Sequence, residues 1–293
     1  MNDTQVNIQS KKEKNKNLLL NVHNLPAIPI VILEVSKLLD DPMASATELG
    51  RVINRDQGLV TKVLTVANSP LYGLPRRVST IEFAIVILGF EHIRNILIAI
   101  SMIEAFRGKN NKNWDRKSYW VHSLITATAS KRIADDLGYQ KSGEAFTAGL
   151  LHDLGISVIQ RYFTKDYNKI CEMVQEELVS YEQAEEFILG LTHMEVGKLL
   201  AEKWNLPPSL SDCLLYHHNP GAAEINKQLA SIVHLADYMT QKLETGNFVW
   251  DNDYKLDSSI IQTLNLGDEA YLERFIMSYE KLFKANLESI NIF

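Results

Sequence analysis

Apolar residues recur along this chain at the three-and-four spacing of an amphipathic helix, and its N-terminal part nowhere alternates apolar with polar as a half-buried strand does. From Ile30, the residues Val31, Leu33, Val35, Leu38 and Leu39 follow a helical period that Asp40-Asp41-Pro42 ends. Ser45 or Thr47 can cap a short helix through Leu49, Val52 and Ile53, and Asp56 can cap the next, which Asn68-Ser69-Pro70 stops. Ser79 or Thr80 starts a helix through Ile85 and Leu88, Gly89 breaks it, and a long apolar helix runs from about Glu91 to Phe106. Arg94, Asn95 and Glu104 interrupt that last helix, leaving it too short and too charged to span a bilayer, so no membrane association is expected.

The polar run Arg107–Asn113 reads as a boundary. Helices then follow at about 115–137, 142–161, 165–175, 181–189, 192–204, 208–217 and 224–244, with Gly and Pro separating most of them. After Gly246 the period becomes ambiguous through Phe248-Val249-Trp250, and two further helices near 257–265 and 268–288 close the chain. The expected organisation is therefore all-α. It comprises a disordered tail over 1–20, an N-terminal helical lobe over 21–107, a second helical lobe over 114–244 and a C-terminal helical extension over 245–293. The tail carries Lys11, Lys12, Glu13, Lys14 and Lys16 and offers no apolar face to bury. The segment Tyr271 to Leu287 could serve as a homodimer face.

A net charge of −6 argues against a general nucleic-acid binder, whose footprint is basic. Two cysteines, Cys171 and Cys213, are too few for a disulfide framework, and the N-terminus lacks the apolar core of a signal peptide, so a cytoplasmic location is expected.

Against this apolar background stands the adjacent pair His152-Asp153, inside Ala148-Gly149-Leu150-Leu151-His152-Asp153-Leu154-Gly155. Burying an unpartnered imidazole or carboxylate costs its hydration, and a bound cation would offset that cost. His122, His193, the adjacent His217-His218 and Asp237 could complete such a site. His193 follows the potential cap Thr192, and His217-His218 closes a helix before Asn219-Pro220, so both lie at helix ends. There adjacent side chains converge more readily than in a helix interior, where successive residues diverge by about 100°. Imidazole with carboxylate suits one or two divalent transition metals, Fe, Mn, Zn, Ni or Co, better than Ca or Mg. Asp153 has two oxygens and could bridge two ions. The bland alternative is that these groups pair with one another and hold no metal. His23, His92 and His234 read as ordinary core or surface histidines, and Cys213 as core.

The order His122, His152-Asp153, Asp237 resembles the HD superfamily of metal-dependent phosphohydrolases. The segments Leu25-Pro26-Ala27-Ile28-Pro29, Ala67-Asn68-Ser69-Pro70-Leu71-Tyr72-Gly73 and Ile81–Gly89 look like the HDOD family of bacterial signalling modules. So do Ala148–Asp153, His193-Met194-Glu195-Val196-Gly197, Trp204-Asn205-Leu206-Pro207 and Tyr216-His217-His218. The resemblance implies an N-terminal helical bundle packed on an HD-like helical subdomain. Beside the HD-GYP cyclic-di-GMP phosphodiesterases, all seven residues (His122, His152, Asp153, His193, His217, His218 and Asp237) have counterparts among metal ligands.

Three departures qualify the resemblance. Ile156 stands where those enzymes carry a phosphate-contacting lysine, Ser118 replaces a possible glutamate ligand, and Asn219-Pro220-Gly221-Ala222-Ala223 replaces the Gly-Tyr-Pro loop. Losing a phosphate-contacting cation removes charge stabilisation on which phosphoryl transfer depends. The expectation is a signal-transduction module with a metal site that acts through protein partners or a nucleotide second messenger. The alternative is a metal-dependent phosphohydrolase in which Asp153 is catalytic.

Overall fold

The computed structural model describes residues 3–21, 34–35, 38, 43–105, 112–177, 179–251 and 255–291. The onset expected at Leu25–Pro29, the helix expected from Ile30 and most of the Arg107–Asn113 run lie outside the described residues. Among the described residues every regular element is a helix, with no extended strand. No single described helix is long and apolar enough to cross a membrane.

The N-terminal segment differs from expectation. Residues Asp3–Asn21 form a helix, α1, in place of a disordered tail. It lacks an apolar stripe of its own and is held by polar contacts: Asn15 donates to the Leu189 carbonyl, Lys12 pairs with Glu195, and Leu19 is buried. Of the charged residues that suggested a solvated tail, Lys11 and Lys12 bond instead to the helices beneath.

Among the described residues the next full helices are α2 (Ala46–Ile53), α3 (Gln57–Ala67), α4 (Ile81–Leu88) and α5 (Phe90–Ala105). Ser45, Asp56 and Thr80 cap the first three, each side chain accepting a backbone N–H that the helix leaves unpaired. The chain turns through 118° between α4 and α5 at Gly89, whose φ of +84° suits glycine.

The next part comprises α6 (Arg116–Asp136), α7 (Ser142–Leu151), α8 (Leu154–Tyr162), α9 (Thr164–Glu177) and α10 (Tyr181–Leu189). It continues with α11 (His193–Lys203), α12 (Pro208–Tyr216) and α13 (Lys227–Lys242). The C-terminal helices are α14 (Ser259–Thr263), α15 (Glu269–Ser278) and α16 (Glu280–Asn291). The single helix expected over 142–161 is two, broken at His152-Asp153, where Asp153 has φ −96° and ψ 14°. Likewise the helix expected over 268–288 breaks at Tyr279.

Helix α7 packs along α6 and against α5, α13 packs on α6, and α11 packs on α8 and α12. One apolar core runs through all of these, from Leu49 and Ile53 through Leu124, Phe146 and Ile156 to Ile232 and Phe283. Asn286 on α16 is fully buried and joins Ser69 to Thr128, tying the C-terminal helix to both halves of the molecule.

Candidate metal centre

The break at His152-Asp153 turns two adjacent side chains toward one point, which an unbroken helix would not do. Two glycines permit the close packing around it. A Cβ at Gly149 would fall 2.9 Å from the Ala127 Cα on α6. One at Gly155 would fall 1.9 Å from the His193 carbonyl oxygen, so only glycine lets α8 approach the first turn of α11. Thr192 caps α11 and fixes that turn, presenting His193. His122 comes from α6, His217 and His218 from the end of α12, and Asp237 from α13.

All seven residues selected from the sequence converge. They form two adjoining groups: His122, His152 and Asp237 in one, Asp153, His193, His217 and His218 in the other. His122, His152, Asp153 and His217 are completely buried, and only His218 reaches the partly exposed class. Asp153 lies between the groups. Its Oδ2 is 3.6 Å from His122 Nε2 and 3.3 Å from His152 Nε2, while its Oδ1 is 3.7 Å from His193 Nε2 and 3.6 Å from His217 Nε2. Asp237 Oδ1 faces the first group, 3.2 Å from His122 Nε2.

The outer nitrogens are already engaged. His122 Nδ1 lies 3.1 Å from the Gly246 carbonyl, His152 Nδ1 2.8 Å from that of Gly149, and His217 Nδ1 2.9 Å from that of Leu214. Carbonyls only accept, so each Nδ1 carries a proton and donates, and each Nε2 is turned inward. Two pairs of these inward nitrogens, His122 with His152 and His193 with His218, stand 3.2 Å apart. The carboxylate oxygens of Asp153 and Asp237 are buried and accept no well-formed hydrogen bond. Facing imidazole nitrogens beside unsatisfied carboxylate oxygens are a donor set that a transition-metal cation fits.

The electrostatics agree. Burial disfavours charge on both members of the central pair, yet their mutual attraction wins. The His152 imidazole rises to about 9 because Asp153 outweighs its desolvation, and Asp153 is held well below the usual carboxylate range by His152. His193 rises against its own burial through Glu185. His217 and His218 are pushed down, first by burial and then by the neighbouring imidazoles, despite the opposing pull of Asp153. Any cation entering the cluster displaces the proton that His152 holds.

Four contributors escape a reading of the sequence. Glu185 on α10 is fully buried, accepts from His193 N at 2.8 Å and lies 2.9 Å from His193 Nδ1. Its other oxygen accepts from Trp250 Nε1 at 2.7 Å. A signal exists, since Glu185 falls four residues after Tyr181 and four before Leu189, on the buried stripe of its helix. Trp250 stacks on Tyr181 with centroids 4.0 Å apart, and Phe248 stacks on His122 at 5.9 Å, so the ambiguous segment after Gly246 walls the cluster. His234 also contributes, from outside the cluster. Its Nδ1 lies 2.7 Å from the His217 carbonyl and its Nε2 accepts from Asp257 N, which holds the end of α12 in place. The Ser118 hydroxyl donates to Asp115, the N-cap of its own helix, and Ile156 is fully buried in the core.

The chain matches the HDOD domain family over residues 25–220. It is 25% identical over 266 residues to an uncharacterized protein of Treponema pallidum (strain Nichols), covering 90% of this chain and 50% of that protein. The chain thus spans about half the length of that relative. An HDOD domain protein of unknown function from Geobacter sulfurreducens superposes with a TM-score of 0.74 at 26% identity, covering 97% of this chain and 98% of that one. A candidate phosphohydrolase from Shewanella amazonensis SB2B superposes with a TM-score of 0.69 at 24% identity, covering 93% and 97% of the two chains, a likeness of fold. With the family match spanning most of its length and the same helical architecture in its structural neighbours, the chain belongs to the HDOD family.

Proposed function

We propose that the chain is a signal-transduction module whose helical core holds one or two divalent transition-metal ions and which acts by binding a partner or ligand more than by turnover. His122, His152, Asp153 and Asp237 would hold the first ion, with His193, His217 and His218 around the second and Asp153 shared. The observation that carries the reading is the placement of Asp153, one unsatisfied oxygen toward each imidazole group. Glu185 and the backbone carbonyls orient the imidazoles from outside, and His234 fixes the segment that bears His217. Fe and Mn are the favoured ions, with Zn, Ni and Co also compatible with this donor set.

Burial favours binding over turnover. A phosphodiester must reach the ions, yet four of the seven residues are wholly inaccessible, and the position after Gly155 contributes the buried side chain of Ile156 instead of a cation. Partners are then a signalling protein, a nucleotide messenger or a second copy of the chain. Elemental analysis of protein purified without chelator tests the metal. One or two ions per chain, lost in Asp153→Ala, are expected; substoichiometric metal that His152→Ala leaves unaltered overturns the reading.

A second reading, metal-dependent phosphohydrolysis, draws on the shared carboxylate, an arrangement that suits two-metal hydrolytic sites. Bound ions would supply Lewis-acid stabilisation of a phosphoryl group, and Asp153 would hold them in register. Hydrolysis of cyclic-di-GMP by the metal-loaded protein, abolished in Asp153→Ala, would place this reading first.

A further inference from the structure

A cleft of about 1040 Å³ lies where α4, α5, α6, α7 and the start of α12 meet, and none of its lining residues belongs to the metal centre. That volume stands at the upper end of the roughly 300–1,000 Å³ of small-molecule sites. We propose that this cleft binds a phosphate ester of mononucleotide size.

The argument begins with His92. It is only 8% exposed, and its Nε2 lies 2.6 Å from the Tyr72 hydroxyl. Burial pushes its pKa down to about 3 and raises that of Tyr72 well above normal, so both are neutral. The Tyr72 hydroxyl then donates to Nε2, which places the remaining imidazole proton on Nδ1. Nδ1 points at the first turn of α7, 3.0 Å from where a Gly143 Cβ would be, and the Asn95 amide nitrogen lies 3.2 Å from that same point.

The first turn of α7 adds donors of its own. Residue Lys141 precedes α7 without a side-chain cap, so no capping side chain takes up the first N–H groups of the helix, and Ser142 and Gly143 line the cleft at its positive end. Lys131 and Lys141 also line the cleft. Lys131 pairs with Asp135 and sits 5.0 Å over the Tyr72 ring, which leaves it further ammonium protons. Of the acidic groups in the lining, Glu144 is taken up by Tyr139 and Ser209, and Glu91 lies exposed.

Donors therefore gather at one end, around Gly143. Elsewhere the cleft is lined by Leu74, Leu88, Phe90, Pro207, Pro208 and Leu210. A multiply charged anion suits the donor end, and a ring system suits the apolar walls. An amphipathic phosphate ester satisfies both ends; inorganic phosphate satisfies only one. The cleft also touches α7 at the end opposite the His152-Asp153 break, so one helix contacts both sites.

Titration calorimetry of the full chain with the four ribonucleoside 5′-monophosphates, the corresponding nucleosides and inorganic phosphate tests the proposal. At least one monophosphate should bind saturably and more tightly than its nucleoside or phosphate. Lys131→Gln should weaken that binding about tenfold by removing a charged donor. Gly143→Ala, which fills the notch without changing charge, should weaken it as much, while melting curves report that both variants fold. Absence of saturable binding for all four monophosphates overturns the proposal. So does binding that survives both substitutions, since the ligand then sits elsewhere, the metal centre included.

Discussion

The two halves of the molecule bury histidine in opposite ways. On α5, His92 is neutral, its pKa pushed down to about 3 by burial, and its one strong partner is the Tyr72 hydroxyl. At the end of α7, His152 is buried more completely yet rises to about 9, because Asp153 and Asp237 face it. Burial alone therefore does not decide what a histidine does. The inner nitrogen decides, by meeting either a neutral hydroxyl or a carboxylate whose oxygens have no other partner. His234 sharpens the point, since it lies three residues from Asp237 yet has both nitrogens engaged by backbone. Proximity in sequence to a ligand candidate is a poor guide; the identity of both nitrogen partners is a good one.

The strongest way to break this contrast is to remove the shared carboxylate. Asp153→Ala should lower metal affinity on the order of a thousandfold at both positions, because it removes the one carboxylate that faces both imidazole groups. Elemental analysis checks it, and retention of either ion would show that Asp153 is not shared. Next in size is Gly155→Ala. A methyl group 1.9 Å from the His193 carbonyl forces α8 and α11 apart, and a loss of about 3 kcal/mol in denaturant unfolding is expected. An unchanged midpoint would show that the two helices are not held at this spacing.

Much of this arrangement is legible in the order of residues alone. Helical spacing sets the class, Ser45, Asp56, Thr80 and Thr192 mark helix starts, and residue type selects the seven histidines and aspartates. What escapes depends on packing between distant segments. Glu185 stands among Glu182 and Glu186, and nothing in their chemistry singles it out; only the helix stripe beneath His193 does. Trp250 and Phe248 lack a clear period because they lie along a turn whose partners are rings on other helices. The helix at 3–21 is hidden for a related reason, since Lys11, Lys12 and Asn15 bond to carbonyls and a carboxylate more than 170 residues away.

Glu185 offers a smaller, sharper test. Glu185→Gln keeps the shape but removes the charge that raises His193, so metal affinity should fall by about tenfold, within the range for outer partners of metal-binding histidines. The pH dependence carries a sign. Protons on the imidazoles, that of His152 above all, must be displaced by a cation, so affinity should fall as pH drops below about 9, the value for His152. Isothermal titration in buffers of different ionisation enthalpy would count those protons; uptake in place of release would contradict the assignment.

The smallest effect belongs to the other half of the comparison. His92 has its ordinary pKa near 6.5 when unfolded and about 3 when folded, so its contribution is complete above pH 6.5 and declines as pH falls toward 3. Between pH 7 and pH 5.5 the unfolded chain takes up this proton and the folded one does not, which costs about 1 kcal/mol of stability. His92→Phe keeps a ring beside Phe146 and abolishes the titration. Its unfolding free energy should be lower at pH 7, because Tyr72 loses its partner, but flatter by that 1 kcal/mol across the interval. A variant with the same slope as the parent would mean that His92 already carries a proton in the fold. The distinction between the two kinds of buried histidine would then fail at its simpler member.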